Sequence, residues 1–158
     1  MKLYIKQKVF SWTDTYDIYD EEGEVKYSVD SEFFSLGHRL HVKDDKGNEV
    51  ALIKEKIISM LPCFEIQIGG KTVGKIQKKF SFLNPKYEVD FCGWRVEGNI
   101  MGWEYDVYEG CSPSIHISKK KLSWADTYSL EFYNPKDELN GLLLAIAIDA
   151  SNCTNKEI

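Results

Sequence analysis

The sequence lacks paired cysteines and long apolar runs. Cys63, Cys92, Cys111 and Cys153 are scattered singly, without a Cys-x-x-Cys pair, so neither a zinc site nor a disulfide framework is indicated. We therefore expect reduced, mostly buried thiols. The longest strongly apolar run, 142–148, is far shorter than the roughly 20 residues that a membrane-spanning helix needs. The chain is predicted not to be an integral membrane protein.

Histidine is also scarce, and acidic residues outnumber basic ones. The net charge is -5, so phosphate would repel the chain and nucleic-acid binding is disfavoured. His38 and His41 stand three apart, which puts them on opposite faces of a strand and prevents joint metal binding, and His116 is predicted to face outward. No nucleophile elbow, phosphate loop or dinucleotide fingerprint occurs. The sequence therefore predicts a non-enzymatic protein without metal or cofactor.

The start of the chain and its length give two further expectations. Charged and apolar residues alternate over 1–8, and the apolar run of a signal peptide is missing. We therefore expect a cytoplasmic protein. A chain of 158 residues fits one domain, predicted to span 1–158.

Aromatic residues are abundant and recur in a repeated unit. In each copy an apolar residue and a serine lead through a short link into a strand. The motif serines are Ser11, Ser35, Ser59, Ser81 and Ser123, with Ile100 in that place in a degenerate copy. The strands that follow share one alternation, with Tyr16/Ile18, Leu40/Val42, Phe64/Ile66, Tyr87/Val89, Tyr105/Val107 and Tyr128/Leu130 on one face. This period of two indicates strands with one buried face.

Each of these strands runs into a turn that contains glycine, and a second alternating strand follows the turn. Six copies give about twelve strands over about 2–133, and short regular spacing favours an antiparallel sheet. Closure would remove the exposed edges of so many strands. The prediction is a mainly β protein, an antiparallel closed barrel of six hairpins.

The pattern changes after the last strand. Asn134 and Pro135 are typical of a helix start, and the helix is predicted over about 135–152. It is apolar on every face from Leu139 to Ala150, so protein must surround it. We expect it to fill the barrel. Asp149 is expected to be the one partly buried acid, bonded to backbone or hydroxyl groups at the barrel mouth.

Several short motifs stand out, namely Lys8-Val9-Phe10-Ser11-Trp12, Phe34-Ser35-Leu36-Gly37, Lys78-Lys79-Phe80-Ser81-Phe82, Ser123-Trp124, and the helix ending in Ala147-Ile148-Asp149-Ala150. Together they resemble the motifs of the LURP-one-related family, over about Tyr4 to Asp149. The resemblance implies a fold similar to the tubby C-terminal domain, a twelve-stranded barrel around a central helix, related to phospholipid scramblases. Tubby proteins bind phosphoinositides at a basic surface, but their binding residues have no matching motif here. The membrane segment and calcium-binding acids associated with scramblases are not recognisable either.

Two functions stay open. The resemblance favours binding of an anionic lipid headgroup or other anionic ligand at the surface, and so do two basic patches, Lys71/Lys75/Lys78/Lys79 and Lys119/Lys120/Lys121. The candidate ligand-binding residues are Lys75, Lys78, Lys79, Lys119, Lys120 and Lys121. These lysines are also explained by cross-strand ion pairs on a solvated face. The alternative is a protein-interaction or scaffold role, which exposed Trp12, Trp103 or Trp124 would favour. The same tryptophans are explained as plugs at the barrel end.

Overall fold

The computed structural model describes residues 1–6, 15–34, 37–57, 60–83, 86–122 and 125–153. The motifs at 8–12, 58–59 and 123–124, with Trp12 and Trp124, lie outside these residues. Twelve strands precede the helix. They are β1 Lys2–Lys6, β2 Tyr16–Tyr19, β3 Val25–Phe34, β4 Gly37–Asp44, β5 Glu49–Glu55, β6 Cys63–Ile68, β7 Lys71–Lys79, β8 Lys86–Asp90, β9 Trp94–Asn99, β10 Glu104–Glu109, β11 Ser112–Leu122 and β12 Ala125–Phe132.

All twelve strands belong to one antiparallel sheet in the order β8-β7-β6-β5-β4-β3-β2-β1-β12-β11-β10-β9. The first and last strands of the chain pair with each other, since Leu3 of β1 lies opposite Leu130 of β12. The sheet therefore curls into a nearly closed barrel. Its seam lies between β8 and β9, which contact each other but share no strand pairing within the described residues.

The barrel has two different ends. The turn end carries the tight hairpin turns, and the link end carries the connections from one hairpin to the next. Glycine with positive φ shapes the turns, as Gly47 does at φ 82°. Asp44 holds this turn by accepting hydrogen bonds from the amides of Lys46, at 3.0 Å, and Asn48, at 2.8 Å. The glycine turns predicted from sequence are confirmed.

The inner wall of the barrel follows the predicted alternation. Ile18, Leu40, Val42, Phe64 and Val107 are fully buried. Tyr87, Val89 and Tyr128 of the same alternation are only partly buried. The side chains between them, which point to the outer face, are mostly exposed or half-buried. Ser129 is the exception, since it is buried on the outer face with 3% of its surface exposed. Its side chain is small, and the paired strands β1 and β11 flank it on both sides.

A single helix fills the barrel. Asn134 caps a 3₁₀ turn, Pro135–Asp137, by accepting a hydrogen bond from the amide of Lys136, and α1 follows over Glu138–Cys153. The predicted helix start at 135 therefore matches the start of the 3₁₀ turn, and the α-helix itself begins three residues later. Residues 141–150 are all buried. A Cβ at Gly141 would lie 2.3 Å from Ile115 and 2.6 Å from Phe132, so helix and wall are in direct contact there.

The start of the helix is anchored at the turn end. Lys26 and the hydroxyl of Tyr27 both donate hydrogen bonds of 2.7 Å to the carboxylate of Glu138. Glu138 and Asp137 are 8% and 9% exposed. The prediction that Asp149 is the one buried acid is therefore wrong. Acids fit here because the first helical turn presents unpaired amides and a positive dipole end.

The thiol prediction is corrected, and the two alternatives for Trp103 are distinguished. Cys63 is buried, but Cys92 and Cys111 are exposed in hairpin turns, so the thiols are not mostly buried. Turn positions lie beyond the barrel wall, where a small apolar side chain finds nothing to pack against. Trp103 is 9% exposed and its ring lies 4.0 Å from that of Tyr128, so it is a plug and not an exposed contact residue. Within the described residues, neither helical segment has both the length and the apolar character needed to cross a bilayer.

Candidate functional site at the link end

Aromatic side chains surround the last turns of the helix at the link end. The inward-facing residue that opens each repeated strand lies here, namely Tyr16, Leu40, Phe64, Tyr87, Tyr105 and Tyr128. Tyr87 donates a hydrogen bond to the side-chain oxygen of Asn152 on the helix. Trp103 lies beside these residues, and we call the whole set the aromatic plug. The backbone of Trp103 is in the left-handed region, at φ 56°, a conformation that a bulky residue keeps only when its surroundings fix it.

The plug encloses a polar centre around Asp149, which is 5% exposed. Burial raises the pKa of the Tyr16 and Tyr105 hydroxyls, and the nearby charge of Asp149 raises them further. Tyr87 is affected in the same way. Asp149 therefore lies among hydroxyl groups at the mouth, as expected, although its bonding to them stays a prediction. With Asp149 only 5% exposed, this centre lies almost entirely out of contact with solvent.

Outside the plug, the link end exposes large apolar side chains. Within the described residues these are Phe33, Ile57, Met60, Phe80, Phe82, Leu83 and Met101. Met60, Phe82 and Leu83 are each at least 91% exposed. The rings of Phe80 and Phe82 lie 5.1 Å apart, edge to face. We call these exposed apolar residues of the link end the apolar rim. Among the described residues, the turn end exposes fewer large apolar side chains, Val25, Val73 and Tyr133.

The candidate lysines of β7 have three different surroundings. Lys75 is exposed on the outer wall. Lys79 forms an ion pair of 2.5 Å with Glu88 of β8, as the cross-strand interpretation predicts. Lys78 has the parity of buried Ile76, is half-buried, and forms no ion pair with any described residue. The first basic patch is therefore divided, and Lys71 lies at the turn end, eight residues or about 26 Å from Lys79 along the strand.

The candidate lysines of β11 lie at the same end, across the seam from β7. The ammonium of Lys119 lies 5.8 Å from the centre of the Tyr128 ring, and that of Lys120 lies 5.7 Å from the Tyr4 ring. The side chain of Lys121 is outside the described part of the structure. The sheet order places β8, β9 and β10 between these lysines and those of β7, so the six candidates do not form one patch.

Charge differs between the two ends. The described lysines at or near the link end are Lys6, Lys56, Lys78, Lys79, Lys86, Lys119 and Lys120. Some acidic side chains near this end belong to ion pairs, as Lys56–Glu65 at 3.1 Å does, or contact histidine, as Glu32 does with His41 at 2.9 Å. The turn end carries eleven of the described acids, Asp20, Glu21, Glu22, Glu24, Asp44, Asp45, Glu49, Asp90, Glu109, Asp137 and Glu138.

A cavity of about 250 Å³ opens within the apolar rim. Lys78 and Lys79 line one side, and Phe80, Phe82 and Leu83 form much of the rest. It lies where β7 ends and β8 begins, next to the seam of the barrel. A second cavity, of about 180 Å³, lies against β5 and β6 and is lined by Glu49 but by no cation.

Sequence reasoning found the lysines and missed the apolar rim. Phe80 belongs to the repeated Phe-Ser motif, and the repeat by itself does not predict whether its apolar residue is buried or exposed. The available signal was the segment 80–85, Phe-Ser-Phe-Leu-Asn-Pro, in which apolar residues stand in a link with a proline rather than in an alternating strand. Apolar residues in a segment that cannot continue the sheet need not face the core.

The histidines lie as predicted. His38 is buried at the link end, its amide donating to Glu55 at 3.0 Å, whereas His41 faces outward. His116 also faces outward, 2.8 Å from Asp106. None of them joins the cavity. The described site is thus one of packing and charge, an apolar surface bordered by lysines.

The comparisons agree with a twelve-stranded barrel filled by its own helix. The LURP-one-related family profile matches residues 1–149, and the chain belongs to that family. It is 37% identical to Uncharacterized protein YxjI of Bacillus subtilis (strain 168), over 94% of this chain and 92% of that protein. It is 25% identical to Protein LURP-one-related 15 of Arabidopsis thaliana, over 94% of this chain and 78% of that protein.

A solved structure of a protein from Arabidopsis thaliana shares the fold, with a TM-score of 0.61 over 94% of this chain and 91% of that one. The two sequences are 15% identical, so this likeness concerns the fold alone. The predicted mainly β barrel with a central helix, and the predicted family, are confirmed.

Proposed function

We propose that the protein binds the surface of an anionic bilayer through its link end and has no catalytic role. The observation that carries the proposal is the coincidence of the apolar rim with several lysines, among them Lys78 and Lys120, on one end of the barrel. Apolar side chains on projecting links can enter the boundary between headgroups and acyl chains, as interfacial helices do. Lysines beside them attract anionic headgroups by about 1 kcal/mol each.

The charge distribution also favours one orientation. The acids gathered at the turn end are repelled by an anionic surface, so the link end is the end that approaches it. The long stems of Lys119 and Lys120 can lie along apolar surface while their ammonium groups stay near phosphate. The overall charge of -5 is therefore compatible with binding, because it is carried mainly by the far end.

A non-enzymatic role is part of the proposal and rests on the interior. Small barrels that hold a substrate do so inside, and here α1 occupies that space. The aromatic plug closes the link end of the interior, which leaves the outside of this end for binding.

Cosedimentation tests the proposal with vesicles of phosphatidylcholine alone and of phosphatidylcholine with phosphatidylglycerol. We expect binding only to the anionic vesicles, weakened by salt because exposed charges are screened. Reversal of Lys78, Lys119 and Lys120 to Glu should weaken binding by about a hundredfold or more, since roughly 3 kcal/mol of attraction is lost. The matched control reverses Lys46, Lys71 and Lys136 at the turn end, which changes the net charge equally.

The control variant should keep nearly all of its binding. Equal loss in both variants would mean that net charge alone acts, and failure of the unmodified protein to bind anionic vesicles at low salt would end the proposal. In that case light scattering after size exclusion would test the alternative, in which the apolar rim contacts protein.

A further inference from the structure

Lys78 stands apart from the other lysines because its charge is partly withdrawn from water. It lies opposite Tyr87 in the β7–β8 pairing, and its amide donates to the carbonyl of Pro62 at 2.9 Å. Burial lowers the pKa of its ammonium group. No carboxylate of the described residues pairs with it. A half-buried charge without a partner is unfavourable, and an incoming anion would relieve it.

The second cation of the cavity is already neutralised. Lys79 pairs with Glu88 at 2.5 Å, and its hydrogen bond holds the pKa of Glu88 below the ordinary value. The cavity therefore offers one uncompensated positive charge. A single negative charge matches it, whereas a polyphosphorylated headgroup would bring several charges to one cation.

Apart from Ser81, the remaining lining is apolar. Leu61, Phe80, Phe82, Leu83 and Met101 contribute to the walls, so a ligand that carries hydrocarbon next to its charge fits both parts. The volume of about 250 Å³ lies just below the range of roughly 300–1,000 Å³ typical of small-molecule pockets. The cavity thus has room for a headgroup and the first carbons of a chain, not for a whole lipid.

We propose that this cavity binds one singly charged anionic amphiphile, with its anionic group on Lys78 and the start of its acyl chain against Phe82, Leu83 and Met101. This inference rests on the proposed docking of the link end, which it makes specific. It predicts preference for a phosphodiester or a carboxylate with an attached chain over inositol polyphosphates.

Calorimetry with ligands below their micellar concentrations tests the proposal on the full chain. We expect dihexanoyl phosphatidylglycerol to bind measurably and dihexanoyl phosphatidylcholine about tenfold more weakly, because the choline ammonium cancels the net negative charge that Lys78 attracts. Inorganic phosphate and inositol trisphosphate should not saturate the site in the same range. Decanoate as a further arm separates a free fatty acid from a phospholipid as the source of the anion.

Lys78→Gln should weaken dihexanoyl phosphatidylglycerol binding by about tenfold. The control Lys75→Gln removes the same charge from the outer wall of the same strand and should leave binding unchanged. Leu83→Glu is the second variant: its position is 91% exposed, so folding should be retained, and the added carboxylate should abolish binding.

Unchanged binding in Lys78→Gln, or tighter binding of inositol trisphosphate than of the phosphatidylglycerol analogue, would overturn the proposal. Failure of this inference and failure of membrane docking give different results. Vesicle binding without any binding of the soluble analogues would retain the docking surface and reject the cavity. Binding of the analogues without vesicle binding would retain the cavity and reject the surface.

Discussion

The two ends of the barrel use apolar and charged residues in opposite ways. At the turn end, charge supports the fold, since Lys26 and Tyr27 hold Glu138 at the start of the helix. At the link end, apolar side chains such as Phe82 and Leu83 stand in solvent, where they add nothing to the core. Exposed apolar surface of this kind marks a contact surface. The comparison indicates that charge at the turn end stabilises the fold, and it supports the proposal that the link end binds a membrane surface.

The same contrast separates two leucines. Leu143 on the helix is fully buried, and Leu83 on the apolar rim is 91% exposed. Leu143→Ala should lower the free energy of unfolding by about 2–5 kcal/mol, because it leaves a cavity between helix and wall. Urea denaturation measures the change.

Leu83→Ala is the matched substitution at the other end. It should change the free energy of unfolding by less than about 0.5 kcal/mol. It should weaken binding to anionic vesicles by about fivefold, since roughly 1 kcal/mol of apolar contact is lost. A large loss of stability in Leu83→Ala, or none in Leu143→Ala, would break the division between the two ends.

A smaller effect on stability is expected from an ion-pair cluster on the outer wall, between the two ends of the barrel. His41 lies between Glu49, at 2.6 Å, and Glu32, at 2.9 Å. Desolvation lowers the pKa of its imidazole, but the hydrogen bonds to Glu49 and Glu32 outweigh it, and the pKa is raised overall. The stabilisation is therefore complete below the ordinary histidine pKa of about 6.5 and is lost as the pH rises through the higher folded-state value.

His41→Gln should accordingly lower Tm by about 2 °C near pH 6 and by less near pH 9. Thermal melts across this range measure it. Glu49→Gln removes one partner and should reduce the pH dependence of the unmodified chain. A difference in Tm between the unmodified protein and His41→Gln that grows with pH would contradict the assigned ion pairs.

The architecture was predictable because it rests on local periodicity. The period of two places Ile18 and Val107 inside, and an all-apolar segment from Leu142 onward must be enclosed wherever it lies. Burial of Glu138 was not predictable, because its partner Lys26 is 112 positions away in sequence. The sequence does not state which turn a distant strand will bring against the helix.

The candidate site was only partly predictable for a related reason. The parity of β7 already places Lys78 on the face of Ile76, but the pairing of Lys79 with Glu88 depends on the register of β8. The exposure of Phe80 and Phe82 depends on where the wall ends, since an apolar residue one step beyond the rim of a barrel has no core to enter. Hydrophobicity alone does not tell whether an apolar residue lies inside the barrel wall or just beyond its rim.

Hydrogen–deuterium exchange of the full chain, with and without vesicles containing phosphatidylglycerol, tests most directly whether the link end meets the membrane. We predict slower exchange of the amides at 78–83 and 99–103 when anionic vesicles are present, with no change in the turns at 20–24 and 44–48. Slower exchange in the turns, or unchanged exchange at both ends under conditions where the protein sediments with the vesicles, would contradict the account.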